Sequence, residues 1–193
     1  MKKLVILASG NGSNLQAVIE AVELGEIDYS IEAVISDKKE AFALKRAEKA
    51  GVKAVYFPFK KGTDRRAYDK ELAKTVKIFL PDYVLLLGWM RILSNPFILK
   101  FKDKIINLHP ALPGTFPGTE AIERQYKAFL AGKIAECGIM THFVPDEGID
   151  SGPVIFTETV PLFLHDTLEE FEKRVHETEH KLIIRTLKWK MKN

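Results

Sequence analysis

The feature that most constrains the fold of this chain is an alternation, over about its first 110 residues, of short apolar runs with longer amphipathic segments. "KLVILAS", "IEAVIS", "AVYF", "YVLLL" and "KIINL" read as buried strands, and the stretches between them carry helical periodicity. In "SNLQAVIEAVELG" apolar residues recur at Leu15, Val18, Ile19 and Val22. Ser13 and Gln16 stand at capping-box spacing, and Gly25 marks the stop. "AFALKRAEKAG" is a second helix with a glycine stop, and "DRRAYDKELAKTVKIF" a third that turns Tyr68, Leu72, Val76 and Phe79 toward a core. Pro81 then breaks the chain before "YVLLL", a strand apolar on both faces as parallel strands are. Asn95 and Pro96 open a short helix. Strands separated by helices of about 10 to 15 residues define βαβ units. The predicted fold class is therefore α/β, a doubly wound and mostly parallel sheet with helices on both faces.

The character changes after residue 110. "HPALPGTFPGTE" holds three prolines and two glycines in the ten residues past His109, an ordered loop between core elements. A helix from about Thr119 to Ala131 follows, then a hairpin-like antiparallel pair, "ECGIMTHFV" and "GPVIFTETV". The last helix is expected to start at Asp166, with Glu169 completing a second capping box, and the lysines of "KWKMKN" suit its negative end. No internal repeat or composition shift divides the chain, so residues 1–193 read as one domain.

Bulk properties exclude several classes. With 29 basic and 26 acidic residues the net charge is +3, too balanced to indicate nucleic-acid binding, and small-molecule partners are expected. No segment approaches the roughly 20 apolar residues of a membrane span. The opening "MKKLVILASG" has a signal-like pair of lysines, yet its apolar run ends quickly at a Gly/Asn turn and reads better as a strand. One cysteine, Cys137, precludes an internal disulfide or a thiolate metal cluster and suits a reducing, cytoplasmic compartment. The histidines show no zinc spacing, and no metal is expected.

In open α/β sheets ligands bind beyond the carboxyl ends of the strands, so chemistry is sought in the loops there. The first, "ASGNGSNLQ", offers Gly10 and Gly12 for a tight turn and the amides of Gly12, Ser13 and Asn14 at a helix start, an anion site suited to phosphate. As a dinucleotide loop it lacks the third glycine, whose place Leu15 takes, although Asp37 follows the second strand as a ribose-binding acid would. A plain strand-to-helix turn is the alternative. The second loop, "GWMRIL", sets Trp89, Met90, Ile92 and Leu93 where a flat aromatic ligand could lie, or where they simply cap the core. The third, "INLHPALPG", puts Asn107 and His109 on one face of a strand end by alternation. Asp150 sits in a Gly-flanked turn, "EGIDSG"; were it near His109 it should raise the imidazole pKa.

"SGNGSNLQA", "GWMRIL", "INLHPALPG", "HFVPDEGIDSGPVI" and "RVHETEHKL" occur in an order and at a spacing that resemble the folate-dependent formyltransferases, through nearly the whole chain. The Asn-x-His-Pro motif with a later Asp is common to that family, and the Ser-Gly-x-Gly-Ser-Asn loop is similar to its glycinamide ribonucleotide branch. The resemblance implies a Rossmann-like fold and direct transfer of a formyl group from 10-formyltetrahydrofolate to the amine of phosphoribosylglycinamide, in purine biosynthesis and without a metal. It implies catalytic roles for Asn107, His109 and Asp150. It also implies a phosphate cradle at Gly12, Ser13 and Asn14, and a carboxylate, Glu179, on the glycinamide part. Folate contacts would come from Arg65, the backbone of Met90, Arg91, Ile92 and Leu93, and Asn107. Arg65 is equally explained as a surface arginine at a helix start, beside Arg66.

Two departures bear on this. Bacterial members usually read His-Pro-Ser-Leu-Leu-Pro after the asparagine, where this chain reads "HPALPGTFPGTEAIE", so no residue of that loop is assigned. Pro145 is an extra residue before Asp150, and if it redirects the turn, Asp146 or Glu147 takes over the role. Other readings are formyltetrahydrofolate hydrolase, an amino-sugar nucleotide formyltransferase, a methionyl-tRNA formyltransferase, for whose tRNA-binding domain the chain leaves no room, and a non-enzymatic nucleotide-binding module. A monomer or homodimer is expected.

Overall fold

A computed structural model describes residues 1–192. The chain runs β1 (Lys2–Leu7), α1 (Ser13–Glu23), β2 (Tyr29–Ser36), α2 (Phe42–Lys49), β3 (Lys53–Tyr56), α3 (Arg65–Ile78), β4 (Tyr83–Leu86), α4 (Asn95–Ile98) and β5 (Ile105–His109), with a single 3-10 turn after α4. It continues as α5 (Ala121–Leu130), β6 (Cys137–Phe143), β7 (Val154–Val160) and α6 (Leu168–Lys192). The strands form one seven-stranded sheet in the order β3-β2-β1-β4-β5-β6-β7. Pairing is parallel from β3 through β5 and antiparallel for β5 with β6 and β6 with β7. The doubly wound α/β class expected from the alternation is the class observed.

Period-two alternation explains why the sheet is covered on both sides. In β1, Leu4 and Ile6 enter a core that includes Leu15 and Val18 of α1, Ala43 and Ala47 of α2, and Phe171, Val175 and Leu182 of α6. Val5 and Leu7 face the opposite way, into a second core with Tyr68, Leu72 and Val76 of α3 and Phe97 and Ile98 of α4. All four β1 side chains have no exposure at all, and at ~1.5–3 kcal/mol for each fully buried aliphatic side chain such strands hold the layers together.

The helix ends differ from expectation in two places. No side chain caps α1: its N-cap is Gly12 in the left-handed region (φ 76°), and Gln16 donates instead to Glu20 and accepts from Arg46. With Gly12 at the cap, Ser13 is already the first residue of the helix, so the Ser13–Gln16 box does not form. At α6 the box is displaced by one residue. Thr167 Oγ1 accepts the Glu170 amide at 3.2 Å and Glu170 Oε2 accepts the Thr167 amide at 2.8 Å, while Asp166 is engaged by Arg174 and the Phe163 amide. Arg174, almost two turns into the helix, holds the Asp166 carboxylate in an ion pair instead.

Strand order reverses between β1 and β4, the neighbours from which the chain winds in opposite directions. Loops leaving their carboxyl ends diverge there, and the site lies in the crevice that results.

Candidate active site

A cleft of about 830 Å³ opens at that crevice, within the ordinary range for small-molecule sites. Its floor is the end of β5; its walls come from the loops after β1 and β4, the loop before α5, the β6–β7 turn and α6.

The β1 loop supplies a bed of backbone amides. Gly12 is required here: its φ is positive, and a Cβ would stand 2.9 Å from the Ala43 Cα and Cβ. The loop is tied to α2, with the Ala43 amide donating to the Gly10 carbonyl at 3.1 Å and Arg46 donating to the Asn11 carbonyl and side-chain oxygen. With α1 uncapped, its first-turn amides and the positive end of the helix dipole meet whatever lies in the cleft. Asn14 Nδ2 donates to Glu179 Oε2 at 3.1 Å, and Asn14 Oδ1 is buried without a partner among the described residues. Glu179 is only 4% exposed, a carboxylate in the apolar stripe of α6 between Val175 and Leu182. Its second support is the His176 Nδ1–H at 2.8 Å, and that hydrogen bond pushes the His176 pKa up.

The β4 loop splits into an inner and an outer part. Trp89 and Leu93 are buried and belong to the α3 core, as the core-capping alternative had it, while Met90 is 62% exposed and Ile92 is also exposed. All of residues 88–93 line the cleft.

At the floor, Asn107 and His109 share a face of β5, and both reach Asp150. Asn107 Nδ2 donates to Asp150 Oδ1 at 2.9 Å, and its other hydrogen points to His142 Nε2 at 3.0 Å. His142 is the antiparallel partner of Asn107 on β6, and its Nδ1 faces the Phe143 carbonyl at 2.8 Å. A carbonyl can only accept, so the proton of His142 sits on Nδ1 and Nε2 is free to accept from Asn107. His109 Nδ1 lies 3.3 Å from Asp150 Oδ2, and its Nε2 donates to the Phe116 carbonyl at 3.1 Å. Asp150 Oδ2 also accepts the Gly118 amide at 2.8 Å. The residue holds a left-handed backbone (φ 50°), a conformation Asp tolerates better than most residues and one that concentrates at functional sites.

Electrostatics here correct one expectation. The His109 pKa is lowered, not raised: burial opposes the cation and outweighs the Asp150 carboxylate and the Phe116 carbonyl, which both favour it. Burial works against the Asp150 charge too, yet the Gly118 amide and His109 hold its carboxyl below the usual range.

The extra Pro145 does not redirect the turn. Asp146 Oδ1 accepts the Gly148 amide at 2.8 Å, a local turn contact, and Glu147 accepts from the Asn95 amide and Arg65 and lies 3.6 Å from Arg66. Asp150 alone of the three reaches His109. Arg65 is outside the cleft lining, its guanidinium held by Glu147. Asp37 is also outside the cleft lining; it accepts the Ser9 hydroxyl and pairs with Arg91. Three groups escaped the sequence reading: His142, the Phe116 carbonyl and the Gly118 amide.

An uncapped helix, a buried carboxylate beside it and an Asn-His-Asp cluster meet in one crevice, with the donors and acid–base groups that acyl-type transfer uses. The formyl transferase family model matches residues 2–187, and the chain belongs to that family. Within it, the chain is 42% identical over 198 residues to the phosphoribosylglycinamide formyltransferase of Dictyostelium discoideum, covering 96% of each protein. It is 38% identical to the Escherichia coli enzyme of that name, covering 96% of this chain and 85% of the relative. The crystal structure of phosphoribosylglycinamide formyltransferase from Streptococcus pneumoniae superposes with a TM-score of 0.88 at 34% identity, covering 99% of both chains.

Proposed function

We propose that the chain transfers a formyl group from 10-formyltetrahydrofolate to the amine of phosphoribosylglycinamide. The observation that carries the reading is the joining of Asn107 and His109 through one carboxylate, Asp150, at the floor of a cleft with an amide-lined anion site at one end and an apolar wall at the other. The names borne by the relatives at 38–42% identity support the acceptor, and the resemblance to the folate-dependent formyltransferases supports the donor.

The residues present fit both. The α1 amides take the ribonucleotide phosphate, and Glu179, fixed by Asn14 and His176, accepts hydrogens from the glycinamide part. Met90, Ile92 and Val144 offer apolar surface to the pterin, whose edge is read by the backbone of residues 90–93. Arg65 enters folate binding only by leaving Glu147.

As the amine attacks the formyl carbon, charge develops on the formyl oxygen. Asn107 and His109 are the donors beside it, a kind of stabilisation whose loss costs ~10² to 10³ in rate. Both are committed within the protein: Asn107 to Asp150 and His142, His109 Nε2 to Phe116. The formyl oxygen must therefore displace the Asn107 contact with His142 or the His109 contact with the Phe116 carbonyl. His109, protonated, then gives its proton to the departing folate nitrogen as the carbon–nitrogen bond breaks, worth ~10² to 10⁴ as general acid catalysis. Asp150 partly offsets the burial that lowers the His109 pKa, and it receives, through water, the proton released by the amine. Holding the two substrates together contributes on the order of 7 to 11 kcal/mol.

The test follows the absorbance change as 10-formyltetrahydrofolate loses its formyl group, with and without phosphoribosylglycinamide. Deformylation that requires the ribonucleotide is the expected result. Deformylation without it would turn the reading toward a hydrolase, and none in either case would sink it.

A further inference from the structure

One buried carboxylate outside the reacting cluster stands where the two binding loops meet. Asp37, just past β2, is 7% exposed. Its Oδ1 accepts the Ser9 hydroxyl at 2.7 Å, and the same Ser9 oxygen accepts the Met90 amide at 3.1 Å. The Ser9 amide donates to the Gly88 carbonyl at 2.9 Å. Asp37 Oδ2 lies 3.7 Å from Arg91 Nη1, and that guanidinium rests 3.4 Å from the Phe59 ring centroid. A continuous path thus runs from Gly10, the next residue of the phosphate loop, through Ser9 and Asp37 to the Met90–Arg91 backbone of the apolar wall.

Both loops are pinned at their other ends. Ala43 and Arg46 hold Gly10 and Asn11 against α2, and Asp69, buried in α3, accepts the Ser94 amide and hydroxyl, each at 2.6 Å. Between those anchors, Ser9 and Asp37 form the side-chain bridge from one loop to the other. A shift of the phosphate loop on binding an anion is therefore passed to Met90 through hydrogen bonds, which have narrow length tolerance.

We propose that Asp37, acting with Ser9 and Arg91, is a positioning residue that couples the ribonucleotide and folate subsites, so that filling one tightens the other. The inference rests on the functional reading above and adds to it a source of cooperativity between the two substrates. Energetic coupling between sites typically amounts to about 5- to 150-fold in affinity, and it is reciprocal.

Calorimetry with tetrahydrofolate, which has no formyl group to transfer, reads the coupling directly. In the unmodified protein, saturating phosphoribosylglycinamide should tighten tetrahydrofolate at least about fivefold. Asp37→Ala and Ser9→Ala should bring that factor to about one and raise both KM values by about 3- to 10-fold with kcat kept within about twofold, the pattern of lost binding-state organisation. Asp37→Asn keeps an acceptor for the Ser9 hydroxyl and loses only the charge opposite Arg91, so it should restore part of the coupling. If Asp37→Ala fails to fold, Ser9→Ala, which deletes a single hydroxyl oxygen, carries the test. Full coupling in Ser9→Ala, no coupling in the unmodified protein, or a fall in kcat with both KM values unchanged would overturn the inference. A protein that turns over both substrates with uncoupled subsites overturns this inference alone; one that fails to turn them over overturns the functional reading.

Discussion

The two ends of the cleft are built on different terms. The end proposed for the phosphate is held largely from behind: Gly12 packs on Ala43, Arg46 grips Asn11, and Ser9 is tied to Asp37. At the end proposed for catalysis the side chains assigned to the substrates are the same ones that hold the loops. His109 fixes the 110–118 loop through the Phe116 carbonyl, and Asp150 fixes it again through the Gly118 amide. Positioning and chemistry are separable at the first end and merged at the second. Substitutions at the floor should therefore disturb both rate and loop geometry, and those at the phosphate end should act on binding.

The hardest test of that contrast is removal of the floor itself. His109→Ala should lower kcat/KM by ~10³ or more and Asn107→Ala by ~10² to 10³, with the far-ultraviolet spectrum retained. Near-normal turnover in either would end the assignment. Next comes Asp150→Asn, expected to cost ~10² in rate at neutral pH. Its charge is the chief influence keeping a proton on His109 against burial, so its loss lowers the imidazole pKa further. The limb of the kcat/KM profile that reports loss of the imidazolium should move to lower pH; an unmoved limb would separate Asp150 from His109.

A smaller and more selective effect is expected at the other end. Asn14→Asp sets a second carboxylate against Glu179, now 3.1 Å from the Asn14 amide, and beside the phosphate. The ribonucleotide KM should rise about tenfold, more than the folate KM, for ~1.4 kcal/mol of lost binding. An equal loss for both ligands would refute the placement of the phosphate. The smallest effect is at His176, whose side chain is 47% exposed, so solvent screening limits its worth to less than about 1 kcal/mol. Its folded pKa is raised by Glu179, so its stabilisation is full below the ordinary histidine value and fades as pH rises through the folded value. His176→Gln should lower the melting temperature slightly at pH 5.5 and leave it unchanged at pH 9; the reverse pattern would contradict the ion pair.

The sheet and its order of elements were legible because buried parallel strands and amphipathic helices leave periodicity in the sequence, as in β1 and α1. Glu179 came from the resemblance alone; the helix shows it as a buried carboxylate at the spacing of Phe171, Val175 and Leu182. What escaped were two backbone groups and one side chain placed by cross-strand register. The Phe116 carbonyl and Gly118 amide are backbone groups in a loop whose path no periodicity constrains. His142 depends on the antiparallel register that sets it opposite Asn107, and alternation within one strand gives no register between two. The direction of the His109 shift depended on depth of burial against nearness of charge, a balance that only coordinates supply.

Strand order carries a further consequence, for synthesis. The strand made first, β1, lies near the middle of the sheet, and its neighbour β4 begins only at Tyr83. Until that strand leaves the ribosome, β1 exposes one unpaired edge of Lys2–Leu7, the kind of apolar edge that invites pairing with other chains. The cleft waits longer still, because Glu179 lies on the final helix. A nascent chain thus acquires its sheet from the centre outward and its complete binding site last, which makes the ligands natural stabilisers of the finished protein rather than guides to its folding.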